Sequence, residues 1–121
     1  MAIKVLSAST IRGDSVENPQ GEDLGNIEDI MIDLDRGMVA YTVLSFGGVL
    51  GIGDRYFAIP WDALTKKPGE NKFIVDIDKE ILKNAPGFDK DNWPVSEENV
   101  HREHVNRISE YYGYKPYWEN L

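Results

Sequence analysis

The chain has 121 residues, with 13 Lys and Arg against 21 Asp and Glu, a net charge of −8, and no cysteine. That length fits one domain with a modest core, and the missing cysteine excludes disulfides, thiol catalysis and sulfur-ligated zinc. An acidic surface repels phosphate backbones and anionic lipid, so nucleic acid and membrane insertion are excluded as expectations, and the cytoplasm is the expected compartment.

In chain order, Ile3 to Leu6 predicts a short strand. Asn18-Pro19-Gln20-Gly21 predicts a turn, because Pro presets one corner and Gly accepts positive φ at the other. Ile27 to Asp35 alternates with period two. Ile30, Ile32 and Leu34 are expected on the inner face, and Asp33 and Asp35 on the outer one. Ile27 is out of phase with Ile30, which predicts a bulge near Glu28-Asp29. Asp35-Arg36-Gly37 turns the chain into Met38 to Phe46, a strand apolar on both faces. Phe57, Ile59 and Trp61 form another inward set. Pro68-Gly69 predicts a polar turn, followed by Phe73, Val75 and Ile77 facing in.

Five or six short strands at this spacing predict a mainly β protein, a small antiparallel barrel. The pattern changes at Asp78, so residues 1–78 are read as the barrel core and 79–121 as a helical C-terminal extension. That extension is expected to pack on the barrel or on a dimer partner. Asp78 is a natural N-cap for a short helix over Lys79 to Asn84. Phe88 to Pro94 reads as extended, with Phe88 and Trp93 docked on the barrel. Ser96 is expected to cap a longer helix. Its stripe carries Val100, His101, His104, Val105, Ile108, Tyr111 and Tyr112, and Gly113 ends it. An aromatic tail follows, with Tyr117 and Trp118.

Taken together, several runs resemble the PRC-barrel family. They are Asn18-Pro19-Gln20-Gly21-Glu22-Asp23-Leu24-Gly25, Ile27-Glu28-Asp29-Ile30-Met31-Ile32-Asp33, Leu50-Gly51-Ile52-Gly53-Asp54 with Phe57-Ala58-Ile59-Pro60-Trp61, and Ala85-Pro86-Gly87-Phe88-Asp89 through Trp93-Pro94. The resemblance covers roughly residues 3 to 94 and implies a small β-barrel. The family is named for the cytoplasmic domain of the photosynthetic reaction-centre H subunit and includes a domain of a ribosome-maturation factor. In both the barrel works as an adaptor. This chain looks like the stand-alone prokaryotic members.

Chemistry-bearing motifs are incomplete. Gly47 to Gly53 lacks the Gly-Lys-Ser/Thr of a phosphate loop and reads as a hairpin loop. Asp33-x-Asp35 opens like a calcium loop, but the twelfth position is Leu44 and not Glu. His101 and His104 are three apart on a helix, without a third ligand in pattern. They read as packing residues or as a pH-sensitive contact. No nucleophile–base pair stands out, so neither an enzyme nor a cofactor is expected.

Tyr and Trp are favoured interface anchors. The expected interaction surface therefore comprises Gly48, Leu50 and Ile52 of the glycine-rich loop with Tyr111, Tyr112, Tyr117 and Trp118. The expected function is a non-enzymatic interaction or adaptor module of the PRC-barrel type. Its expected partners are a second copy of the chain, as a homodimer, and another protein of unknown identity. The alternatives are a quinone- or small-molecule-associated proton-handling protein related to the reaction-centre H subunit, and a ribosome-assembly adaptor.

Overall fold

A computed structural model describes residues 5–47, 55–89, 91–94 and 97–119. Seven strands form one sheet: β1 (Ser15–Glu17), β2 (Asp23–Asp33), β3 (Met38–Phe46), β4 (Arg55–Ile59), β5 (Leu64–Lys66), β6 (Lys72–Val75) and β7 (Gly87–Phe88). Three helices accompany them: α1 (Ala8–Ile11), α2 (Lys79–Lys83) and α3 (Glu98–Tyr112).

The sheet order is β5-β6-β1-β2-β3-β4-β7. The ladders are antiparallel except β1–β6, which is parallel. The sheet is therefore mixed, and among the described residues no hydrogen-bonded pairing closes it. The parallel β1–β6 ladder corrects the expectation that the pairing is antiparallel throughout. β1 and β6 lie far apart in the chain, and their long connection permits the parallel register that a tight hairpin forbids.

Two apolar clusters flank the central strands. One gathers Val16, Leu24, Ile27, Leu44, Phe57, Ile59, Phe73, Val75 and Leu82. The other sets Val105 and Ile108 of α3 against Ala40, Tyr41, Val43 and Ala58. β3 lies between them, which explains its apolar residues on both faces. Ala40 and Ala58 are small, so the helix can approach the sheet closely. Phe88 and Trp93 dock as expected, their rings meeting each other and Tyr56.

The first turn is held by the buried Asn18. Its Oδ1 accepts from the Gln20 and Glu22 amides, and its Nδ2 donates to Glu22 Oε1 and the Ile77 carbonyl. Every polar atom of that amide is thereby used, which is what makes its burial tolerable. The Asp78 cap accepts from the Glu80 amide, and Gly113 ends α3 at φ 77°.

Four details differ from the sequence reading. Val5 and Leu6 lie outside any strand, before α1, while Ile3 is outside the described residues. The predicted bulge is present between Ile27 and Asp29, but a second register shift follows between Met31 and Ile32. The extra residue of that second shift is Ala40, on β3, and Leu34 lies past the end of β2, in the turn. Ile32 is 50% exposed and Leu34 88% exposed, where both were expected inside. Glu97, with no capping hydrogen bond from its side chain, precedes α3, and Ser96 is outside the described residues.

Candidate interaction site

The site begins at the β2–β3 turn. Asp33 ends β2, and its Oδ1 accepts from the Asp35 and Arg36 amides at 3.0 Å each. This is the local side-chain-to-backbone bonding that makes Asp a turn former. Gly37 completes the turn at φ 65°, and its amide donates to the Asp33 carbonyl. The other carboxylate oxygen, Oδ2, accepts from Arg36 Nη1 at 3.0 Å and from the Tyr117 hydroxyl at 2.5 Å.

Four donors on one carboxylate favour its ionised form. The Tyr117 hydroxyl is the largest influence. It outweighs the opposing effect of burial, and with the Arg36 amide and guanidinium it holds Asp33 at a pKa of about 2. Tyr117 moves the other way. Burial, and then the adjacent carboxylate, raise its pKa above the usual phenol range.

Because the Tyr117 hydroxyl gives its hydrogen to Asp33, it can only accept from His101, whose Nε2 lies 2.8 Å away. Nε2 therefore carries a hydrogen. The aromatic surroundings are continuous: Tyr117 meets His101 at 5.9 Å between centroids and Trp118 at 5.2 Å, and the Arg36 guanidinium lies 5.9 Å over the Trp118 ring. The C-terminal tail is thus fastened to the β2–β3 hairpin through Tyr117.

His104 lies one turn along on α3. Its ring meets Tyr41 edge-on at 5.1 Å and Phe88 at 6.3 Å. Its Nε2 is buried with no partner among the described residues. Burial, reinforced by Arg107 and His101, lowers its pKa to about 4. Both histidines stand against Tyr41, yet among the described residues no three His, Asp or Glu side chains gather as a metal site.

A groove of about 500 Å³ runs between the hairpin and the first turns of α3. Met31, Ile32, Leu34 and Tyr41 supply much of its apolar lining, and Asp33, Asp35 and Glu98 its carboxylates. An adjoining concavity of about 390 Å³ is bounded by Arg36, Arg102, His101 and Trp118.

The structure separates the expected interaction residues. Tyr117 is buried inside the chain, Trp118 is half-buried, and Tyr112 is half-buried with its hydroxyl unpartnered among the described residues. Tyr111 is 38% exposed, and its hydroxyl donates to the Ile81 carbonyl at 2.6 Å. Gly48, Leu50 and Ile52 are outside the described residues. Asp33 and Arg36 are the residues that sequence reasoning missed. The Asp-x-x-Arg-Gly turn signalled the local half of their network, but nothing local signals a partner 84 residues away.

Among the described residues no helix is long and apolar enough to cross a membrane. A search of curated proteins returns no match. The family model for the PRC-barrel domain matches residues 4–82, more than half of the chain. With its mainly β sheet and the ordered turn and strand motifs, the chain belongs to the PRC-barrel family.

Proposed function

We propose that the chain is a non-enzymatic interaction module of the PRC-barrel type, working in the cytoplasm as a homodimer that also docks another protein. The observation that carries the dimer is an exposed apolar patch where α2 meets the end of α3. Ile81 is 48% exposed and Tyr111 38%, and the Tyr111 hydroxyl's bond to the Ile81 carbonyl holds them together; Tyr114, 40% exposed, follows three residues on. Aromatic and aliphatic side chains fixed in this way lose little entropy on association. A two-fold dimer is the commonest arrangement that covers one patch with its own copy.

Sedimentation equilibrium tests this. The wild-type chain is expected to dimerise in the micromolar range, and Tyr111→Glu and Ile81→Glu to weaken the dimer by about tenfold or more. Both side chains reach the surface and neither belongs to a core cluster, so the fold itself should be retained. A wild-type chain that stays monomeric at hundred-micromolar concentration would remove the homodimer from the account.

The proton-handling alternative draws on a different observation, the His101–Tyr117–Asp33 hydrogen-bonded chain beside the groove. It requires exchange of the Tyr117 hydroxyl proton to be fast. A slowly exchanging hydroxyl signal, observed directly by proton NMR, counts against it.

A further inference from the structure

The groove between the β2–β3 hairpin and α3 has a chemistry that selects its occupant. Its rim is apolar. Leu34 at 88% exposure and Ile32 at 50% stand above a floor that includes Tyr41, which is 3% exposed. Such side chains on a hairpin tip leave apolar surface in water, which association removes. The hairpin that presents them is held by the four donors on Asp33, the Tyr117 hydroxyl among them. The rim is therefore set before anything binds.

The polar groups of the groove are mainly acceptors. Asp35 makes no ion pair among the described residues. Glu98 holds Arg102 through Oε1 at 2.9 Å and is otherwise open, its side chain 83% exposed. His101 directs its Nε2 hydrogen to Tyr117 and not into the groove. Among the described residues, the cation of the lining is Arg36, already bound to Asp33 and lying over Trp118. An anion would meet carboxylates here and a guanidinium that is already taken. A cation with several hydrogens to donate meets open acceptors, within a chain of net charge −8.

We infer that this groove takes a lysine or arginine side chain presented by an extended, apolar-flanked segment of a partner protein. The apolar neighbours of that residue cover Leu34 and Ile32, while its charged head reaches Asp35 and Glu98. The inference rests on the interaction-module reading and names the chemistry of its partner. A second copy of the chain is the competing occupant.

The test uses the full chain, isotope-labelled, titrated with a capped peptide probe, Gly-Val-Arg-Leu-Lys-Val-Gly, and with the same peptide carrying Glu in place of Arg and Lys. The expected result is saturable shifts at Ile32, Leu34, Asp35 and His101 with the basic probe alone. Leu34→Ser and the Asp35→Asn/Glu98→Gln pair should each weaken binding about fivefold, and Glu80→Gln, on α2, should leave it unchanged.

Three results would overturn the inference: shifts scattered over all acidic surfaces, equal binding by the neutralised pair, or equal binding of the acidic probe. Shifts at Leu34 that follow protein concentration without any peptide would assign the groove to a second copy. If a protein partner is found whose binding ignores Leu34→Ser, the groove assignment fails while the module reading stands. If the chain also neither dimerises nor binds any partner, both fail.

Discussion

Asp33 shows how one residue sets both a turn and a tertiary contact. One oxygen organises the hairpin through backbone amides, and the other anchors Tyr117 and Arg36. Tyr117→Phe keeps the ring packing and removes only the hydroxyl. A charge-assisted hydrogen bond of this kind contributes about 1.5–3 kcal/mol, and urea denaturation should show a loss in that range. The same change should raise the Asp33 pKa toward the ordinary carboxylate range, read from its carboxyl carbon shift, since Tyr117 is its largest influence.

His104 carries the clearest pH consequence. Its pKa falls from the usual imidazole value of 6.5 to about 4 on folding. The folded chain therefore binds fewer protons than the unfolded chain between these values, and stability must fall as pH falls through that window. The loss should amount to roughly 1–2 kcal/mol, once partial solvation of the ring is allowed for. His104→Phe suits the Tyr41–Phe88 surroundings and removes the titration. The mutant's melting temperature should be flatter than the wild type's between pH 6.5 and 4. Equal slopes would show that the packing of α3 on Tyr41 and Phe88 does not feel this proton.

Among the elements, β2 determines most of what the site becomes. Gly25 sits in it at φ 94°, and a Cβ there would collide with the Ser45 carbonyl of β3. Two penalties act together, the left-handed backbone and the backbone clash. Gly25→Ala should cost more than about 2 kcal/mol, seen as a large drop in denaturation midpoint. Gly21→Ala is a useful contrast: φ is also positive, but nothing lies within 4 Å of the added carbon, so the cost should be smaller.

The same strand shows what was legible in the sequence. Its first bulge could be read, because Ile27 and Ile30 cannot share a face without one. The second irregularity, an extra residue at Ala40 of β3, could not. Ile30, Ile32 and Leu34 alternate cleanly, and only the pairing with β3 shows that the register slips between Met31 and Ile32. Ile32 stands at the end of β2 and Leu34 in the turn beyond it, so an apparent core stripe became the groove's exposed rim. The turns, the Asp78 cap, the end of α3 and the inward set Phe73, Val75 and Ile77 were readable because their causes are local. The parallel β1–β6 pairing and the Tyr117–Asp33 contact depend on chain segments far apart, and no local pattern encodes them.

At the scale of the molecule, the sheet works as a rigid support with different surfaces on its periphery. One is the patch of Ile81, Tyr111 and Tyr114. The other is the groove under Leu34 and Ile32. On the proposed reading, two surfaces would let a small module bind its own copy and another protein at the same time. That is the form an adaptor needs, and it accounts for apolar side chains held in place on an otherwise acidic exterior.

The most direct test of a binding role is photocrosslinking in the native cell. A photoreactive residue replaces Leu34, Tyr111 or, as a control, Glu80, and the joined peptides are identified by mass spectrometry. The account predicts that position 111 joins a second copy of the chain. It predicts that position 34 joins one discrete partner at a segment bearing Lys or Arg between apolar residues, and that position 80 joins neither. Products at positions 34 and 111 no more discrete than those at position 80 would contradict it.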